Sequence, residues 1–494
     1  MQTSAAPASS AVMTLRNYVG GAWVESTSAR ALDVLNPATA QPLARVPLAT
    51  AAEVDAAVQA AQAAFPGWRA TPPLVRARYL FRLKELLEAH FEELARTVTL
   101  EMGKTLEDAR GSVRRAIENV EVASGIPSLM MGYGLEDGAA AGMDEEVIRQ
   151  PLGVFAAICP FNFPAMVPFW FLPYAIACGN TFVVKPSERV PMTQGRMFEL
   201  LDAAGLPAGV VNLVNGDREA VDALLDHPDV KGISFVGSTA VAKQVYARAA
   251  ANGKRVQAQG GAKNMLVVMP DADVEQSVAN MLGSCFGAAG QRCLAGSVII
   301  PVGAAHEPLR RALLERASAL RVGNGLEPGV EMGPVISASA RDRIVSYIAK
   351  GVAEGAKLLL DGRGVRVAGH PDGYFVGPTI FDEVTPDMAI AQDEIFGPVV
   401  SIVPAADLDA ALGIIARSPY GNAASIYTQS GAAAREFRYR VPAGNVGVNV
   451  GVAAPMAYFP FSGAKESFFG TLHAQGQDGI RFYTESKVVI TRWF

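Results

Sequence analysis

The sequence predicts an α/β protein built around two doubly wound, largely parallel sheets. Short apolar runs such as Val154–Cys159 and Thr181–Lys185 are bounded by Gly or Pro and read as buried strands. They alternate with helical segments at the spacing of βαβ units. A second alternating series follows from Met265 to about Tyr458, and a chain of 494 residues suggests two or three domains.

The elements follow in order. Residues 1–15 are small and polar and read as a disordered tail. Val19–Trp23 and Leu32–Leu35 read as short strands. Thr50–Ala64 carries Ala and Val at three- and four-residue steps, a helical pattern, and the Leu-, Glu- and Arg-rich stretch Pro73–Gly103 and the segment Leu106–Leu129 continue it. From Val154 the pattern changes to strands at 154–159, 181–185, 210–214 and 232–236, separated by helices at 164–177, 194–204, 219–226 and 239–250. Near the C-terminus, Lys487–Thr491 reads as a strand able to pair with another subunit.

Composition narrows the function. The 43 basic and 48 acidic side chains leave a net charge of −5, and no basic stripe marks a nucleic-acid surface. The four cysteines, Cys159, Cys178, Cys285 and Cys293, are too few for a disulfide framework. None has zinc spacing, so no metal site is expected. The N-terminal residues lack the basic and apolar blocks of a secretory signal, and Pro168 and Pro173 interrupt the apolar stretch 167–178, too short to span a membrane. A reducing, cytoplasmic compartment is the expectation.

Five segments carry candidate chemistry. Ile158-Cys-Pro-Phe-Asn-Phe-Pro164 follows a predicted parallel strand, where ligands bind; the same residues serve equally well as a Pro-rich turn. Lys185-Pro-Ser-Glu188 places a cation and a carboxylate three apart at the next strand end. Together they suit a ribose diol, and the carboxylate repels a 2′-phosphate, which favours NAD over NADP; a solvated surface pair is the plain alternative. Gly237 and Ser238 close a strand and open a helix whose first amides suit a pyrophosphate oxygen, although Gly-Ser-Thr is also an ordinary N-cap. Phe286-Gly-Ala-Ala-Gly-Gln-Arg-Cys293 sets a cysteine after small residues that leave room beside its sulfur, yet most cysteines are buried and inert. Glu394-Ile-Phe-Gly-Pro398 offers a carboxylate and the ring of Phe396, or simply a turn closed by Gly-Pro.

In this order the segments resemble the aldehyde dehydrogenase superfamily from about Asn17 to Phe494, supported also by Asn36-Pro-Ala38, Gly373–Thr379 and Phe459-Pro-Phe-Ser-Gly463. Within it, Glu101-Met-Gly-Lys-Thr-Leu106, Pro160–Pro168, Gly261-Ala-Lys-Asn264, Phe286–Cys293 and the ending Thr491-Arg-Trp493 look most like the CoA-acylating methylmalonate-semialdehyde dehydrogenases. The resemblance implies an aldehyde dehydrogenase-like fold. An NAD-binding domain is expected over 16–130 and 152–262, a catalytic domain over 263–463, and a small β oligomerisation element over 131–151 and 464–494, assembled as a homotetramer. It implies that Cys293 is the nucleophile and that Asn162, with the Cys293 amide, forms the oxyanion hole. NAD would be held by Ile158, Pro160, Phe161, Lys185, Glu188, Gly237, Ser238, Glu394 and Phe396. Substrate would meet Phe163, Phe461, Arg115 and Arg292, the two cations suiting a carboxylate; for Arg115 a place on a solvated helix, and for Arg292 a loop-holding role, stay open.

One departure bears on the acyl acceptor. Hydrolytic members open a Glu-Leu-Gly-Gly-Lys segment with a carboxylate base; here it reads Gln259-Gly-Gly-Ala-Lys263. An amide cannot act as that base. CoA is therefore expected as cosubstrate, giving propanoyl-CoA or acetyl-CoA with loss of CO2. A hydrolytic semialdehyde dehydrogenase and a non-catalytic binding protein of the same fold are the alternatives.

Overall fold

The computed structural model describes residues 12–494. Its first sheet has eight strands, in the order Ala22–Val24, Asn17–Val19, Val211–Leu213, Thr181–Lys185, Val154–Ile158, Val230–Val236, Arg255–Gln259 and Phe468–Gly470. The five from Val211–Leu213 to Arg255–Gln259 are parallel neighbours. Strand Val154–Ile158 comes first among them in sequence and lies in their middle. The chain winds outward through 181–185 and 211–213, then returns to 230–236 on its other side. That reversal opens a crevice at the carboxyl ends of Val154–Ile158 and Val230–Val236.

The doubly wound form follows from burial on both faces. All five residues of Val154–Ile158 are buried. Phe155 and Ala157 enter a core shared with helices Pro73–Ala89 and Leu106–Ser124, while Val154, Ala156 and Ile158 enter another beneath Ala51–Ala70 and Thr239–Ala251. The side-chain period of two thus feeds two helical layers from one strand.

The second sheet runs Lys357–Leu360, Thr379–Asp382, Val399–Ile402, Gly296–Pro301, Asn264–Val268, Ala423–Tyr427, Asn445–Val448, parallel except at its first pair. A three-stranded antiparallel sheet joins Tyr133–Leu135, Met143–Pro151 and Thr484–Arg492.

Several boundaries move. The tail expected over 1–15 falls mainly outside the described residues, but Met13 and Leu15 exchange backbone hydrogen bonds with Arg45, and Leu15 packs beside Val34, Ala44 and Val46. An apolar anchor orders that end. Residues 464–483 do not join the hairpin at 131–151. Phe468–Gly470 extends the first sheet beside Arg255–Gln259, and helix Gly476–Phe482 carries Ile480 and Phe482 into the first core, so pairing with the hairpin begins at Thr484. The helix expected over 164–177 is two pieces, Met166–Phe169 and Leu172–Cys178, the second starting beside Pro173. The stretch 73–103 breaks at His90 into Pro73–Ala89 and Phe91–Met102. Among the described residues no helix is long and apolar enough to cross a membrane.

Candidate active site

The site begins where helix Val274–Phe286 ends. Ala288, Ala289 and Gly290 then take left-handed conformations in succession, with φ of 50°, 53° and 70°. Two alanines there are strained by roughly 1 kcal/mol or more each, and such strain persists only where surroundings impose it. The surroundings are visible. The amide of Ala288 donates to Asp108 Oδ2 at 2.9 Å. At Gly290 a Cβ would lie 2.2 Å from the carbonyl oxygen of Gly397, so only glycine permits the Glu394–Pro398 segment to press onto this loop.

The loop delivers Cys293 to the floor of a cavity of about 450 Å³. Its carbonyl accepts from Asn264 Nδ2 at 2.8 Å and Asn422 Nδ2 at 2.7 Å, which fixes the residue from below. Burial, with the Glu394 carboxyl nearby, pushes the Cys293 thiol up to about 12; the amides of Cys293 and Leu294 and the cation of Arg292 act in the opposite direction. Cys159, Cys178 and Cys285 are fully buried, whereas Cys293 is only partly so.

Asn162 reaches the same loop from the first sheet. It lies in the turn after Val154–Ile158 and is buried, and its Nδ2 donates to the carbonyl of Gln291 at 3.0 Å. Phe163 and Phe461 line the cavity with Arg115 and Arg292. Phe461 stacks on Trp170 at 4.3 Å. Arg115 faces the cavity from helix Leu106–Ser124 and pairs with Glu118 at 3.0 Å. Arg292 also lines the cavity, but its guanidinium is bonded to Asp108 and to the carbonyl of Gly283, so it holds the loop as well.

The remaining candidates collect along the crevice of the first sheet. Ile158 and Lys185 are aligned partners on adjacent strands, and the Lys185 ammonium meets Glu188 at 3.2 Å. Pro160 and Phe161 follow in the Asn162 turn, both partly exposed. Gly237 donates its amide to Gln259 at 3.1 Å. Ser238 caps helix Thr239–Ala251 without spending its hydroxyl on a cap bond, which leaves that group for a ligand. The next residue connects this turn to the other sheet. Thr239 Oγ1 accepts from Gly261, and Ala262 donates to Glu394 Oε1 at 3.0 Å. A Cβ at Gly261 would lie 2.3 Å from Glu394 Oε2. Phe396 completes the line by meeting Phe161 edge-on, ring centres 5.8 Å apart. Burial pushes Glu394 up to about 7 and Lys263 down to about 8, each countered in part by the other.

Glu188 and Ser238 thus stand at strand ends of the first sheet, and Glu394, from the second, lies near Cys293. With the aromatic rings, these charged and hydroxyl groups fit a dinucleotide laid across the switch point. Sequence reasoning missed other contributors. Ser112 and Asn119 share the helix face of Arg115, two turns apart, and with Gln475 line the cavity; each has a buried oxygen without a hydrogen-bond partner. Asp108 lines it as well, and Lys104 sits behind the lining residue Phe163. The signal was present in part, since Lys104 falls within the quoted Glu101–Leu106 segment, but a role for it depends on contacts far away in sequence.

The aldehyde dehydrogenase family profile matches residues 23–489, and the chain belongs to that family. It is 55% identical over 479 residues to malonate-semialdehyde dehydrogenase 2 of Geobacillus thermodenitrificans, covering 97% of this chain and 99% of that one. Among solved structures it is similar to methylmalonate-semialdehyde dehydrogenase from Oceanimonas doudoroffii, at 46% identity and a TM-score of 0.96 over 98% of this chain and 99% of that one. A Sinorhizobium meliloti protein assigned as a methylmalonate-semialdehyde dehydrogenase and solved with NAD gives the same identity and TM-score, covering 98% of each chain.

The protonated thiol has a measurable consequence. Because only the thiolate is nucleophilic, iodoacetamide labelling of Cys293 in the free protein will be slow at pH 7 and rise about tenfold per pH unit to pH 9. Labelling is followed by mass against a Cys293→Ala control; a plateau below pH 8 would contradict a thiol raised by burial.

Proposed function

We propose that this protein oxidises malonate or methylmalonate semialdehyde with NAD through a thioester on Cys293 and passes the acyl group, after loss of CO2, to CoA. The observation that carries the choice of acceptor is Gln259. It ends strand Arg255–Gln259 and is buried, with its amide nitrogen 3.5 Å from the carbonyl of Phe461. An amide there cannot take a proton from water. The names of the relatives support the substrate, and the complex of the Sinorhizobium protein supports the cofactor.

In this reading Cys293 Sγ adds to the aldehyde carbon. Asn162 Nδ2 and the Cys293 amide donate to the developing oxyanion, where one such donor is typically worth about 2.7–4 kcal/mol. NAD, when bound, supplies the two-electron acceptor. Lys185 and Glu188 hold its adenosine ribose, with the Glu188 carboxylate excluding a 2′-phosphate. Ser238 and the turn at Gly237 hold the pyrophosphate, Glu394 holds the second ribose, and Ile158, Pro160, Phe161 and Phe396 pack along it. Arg115 and Arg292 hold the β-carboxylate between the apolar walls of Phe163 and Phe461. Once the acyl group is a thioester, its carbonyl accepts the electrons released with CO2, and the resulting enolate takes a proton at its α-carbon to leave the acetyl or propanoyl thioester. The CoA sulfur then takes the acyl group and returns Cys293 as a thiol. For malonate semialdehyde the sum is acetyl-CoA, CO2 and NADH.

Steady-state assays with NAD or NADP, with and without CoA, test the scheme. Sustained NADH formation is expected only with CoA and NAD, with acyl-CoA identified by mass. Full turnover without CoA, releasing free acid, would establish the hydrolytic alternative. Gln259→Glu should raise the CoA-independent rate at least tenfold by restoring a base.

The carboxylate assignment has its own check. Arg115→Leu should lower kcat/KM for the semialdehyde by about 10²-fold, in line with a charge-assisted bond, and leave that for propanal within about threefold. Equal losses for both aldehydes would remove Arg115 from recognition.

We also propose a homotetramer. Strand Thr484–Arg492 is a sheet edge that exposes Val488 and Ile490, and its sheet further exposes Tyr133 and Leu135. Edge strand Asn445–Val448 exposes Val446 and Val448. Long apolar edges of this kind are partner-seeking surfaces. Light scattering should give four chains, and Val488→Asp/Ile490→Asp should give a smaller species; a monomeric wild type would end the proposal.

A further inference from the structure

We propose that Lys104 and Asp108 are positioning residues, a two-armed brace that sets the spacing between Asn162 and the Cys293 loop. The proposal rests on the roles just given to Asn162 and Cys293.

The brace starts from a firmly held turn. Helix Phe91–Met102 ends at Gly103, and Leu106–Ser124 begins after Thr105, whose side chain caps it through the amide of Asp108. Behind the turn, the buried Glu101 carboxyl accepts from the amides of Met192 at 2.7 Å and Thr193 at 3.0 Å, at the start of helix Met192–Ala203. In front, Leu106 donates its amide to Gly325 at 3.0 Å. The segment is therefore fixed to both the first and second halves of the molecule.

Two side chains reach out from it. Lys104 is 1% exposed. Its Nζ donates to the backbone carbonyl of Asn162 at 2.7 Å and lies 3.8 Å from the centre of the Phe163 ring. It grips the main chain of the oxyanion donor, whose side-chain Nδ2 spends one N–H on the Gln291 carbonyl and keeps the other for the oxyanion. Asp108 takes the other side, accepting from the Ala288 amide at 2.9 Å and from Arg292. Those contacts hold the left-handed alanines and the residue next to the nucleophile. Arms four residues apart on one turn thus bind the two halves of the reactive centre. Burying an ammonium with no carboxylate bonded to it is costly, and burial pushes Lys104 down to about 7. That cost is consistent with a positional task rather than a contribution to stability.

The test is the pre-steady-state NADH burst, whose amplitude counts competent sites and whose rate constant reports acylation. Lys104→Met keeps the apolar stem and removes the bond to Asn162. It should slow the burst by about 10²-fold, the effect of a misplacement near 1 Å, while NAD affinity stays within twofold. In an Asn162→Ala background the same change should slow it by less than about threefold, because the donor it positions is gone. Asp108→Asn keeps shape and one acceptor and should slow the burst about tenfold. It preserves the test if Lys104→Met does not fold. An unchanged burst rate constant with only lower amplitude and Tm would overturn the proposal, as would losses that multiply with Asn162→Ala. A wild-type protein that gives no burst at all would instead defeat the roles of Cys293 and Asn162.

Discussion

A hydrogen bond from the Asn162 side chain to the carbonyl of Gln291, 3.0 Å long, crosses between the two sheets at the reactive centre. One end belongs to the turn after the central strand of the first sheet, the other to the loop that delivers Cys293 to the second. Each domain alone has half of the chemistry. The first offers the crevice and, in the proposed function, an oxyanion donor; the second offers sulfur and the Glu394 carboxyl. The fold brings them within bonding distance only because the carboxyl ends of the first sheet's parallel strands face the loop that leads into strand Gly296–Pro301. Gly290 and Gly261 mark where the second domain's segments come closest, each with no space for a Cβ.

The centre also collects ionisable groups whose charged forms burial disfavours. Burial drives Glu394 up to about 7, Lys263 down to about 8 and Lys104 down to about 7. In isolation each would be a stability defect. Glu394 lies near the Cys293 thiol, Lys263 beside Glu394 and Lys104 on the Asn162 carbonyl, and such clustering is characteristic of reactive sites. The thiol is raised as well, so the free protein keeps its nucleophile protonated until something else arrives. In the proposed function, a cationic nicotinamide ring near the sulfur would favour the thiolate by charge alone, coupling activation of Cys293 to cofactor binding.

Much of this was legible in the sequence because its signals are local. Val154–Ile158 and Thr181–Lys185 are read as strands from their apolar runs alone, and Gly237-Ser238 is read as a helix opening from its residue types. The site segments are recognised by order rather than by any one motif. What stayed hidden was set by distant contacts. Pro168 and Pro173 divide one helix into two, but only the packing decides where. Phe468–Gly470 leaves the C-terminal element for the first sheet because Arg255–Gln259 offers it an edge, which no pattern within 464–494 records. Ser112, Asn119 and Gln475 come to the cavity wall from places with no sequence motif, and the reach of Lys104 to Asn162 spans 58 positions.

In the proposed function, the absence of a base at Gln259 and the cation of Arg115 bear on a single problem. A thioester formed next to a held carboxylate is a poised carbanion precursor, since losing CO2 places electrons on the thioester carbonyl. Rapid hydrolysis would release the acid before that step. A carboxylate at position 259 would speed water and, close to a bound substrate carboxylate, add repulsion. An amide does neither. A thiol with an ordinary pKa of about 8.5 already carries a few per cent thiolate at neutral pH and attacks without a local base. On that proposal, an amide in place of a base selects the acceptor by the nucleophile's own acidity and leaves the thioester on Cys293 the time to lose CO2 first.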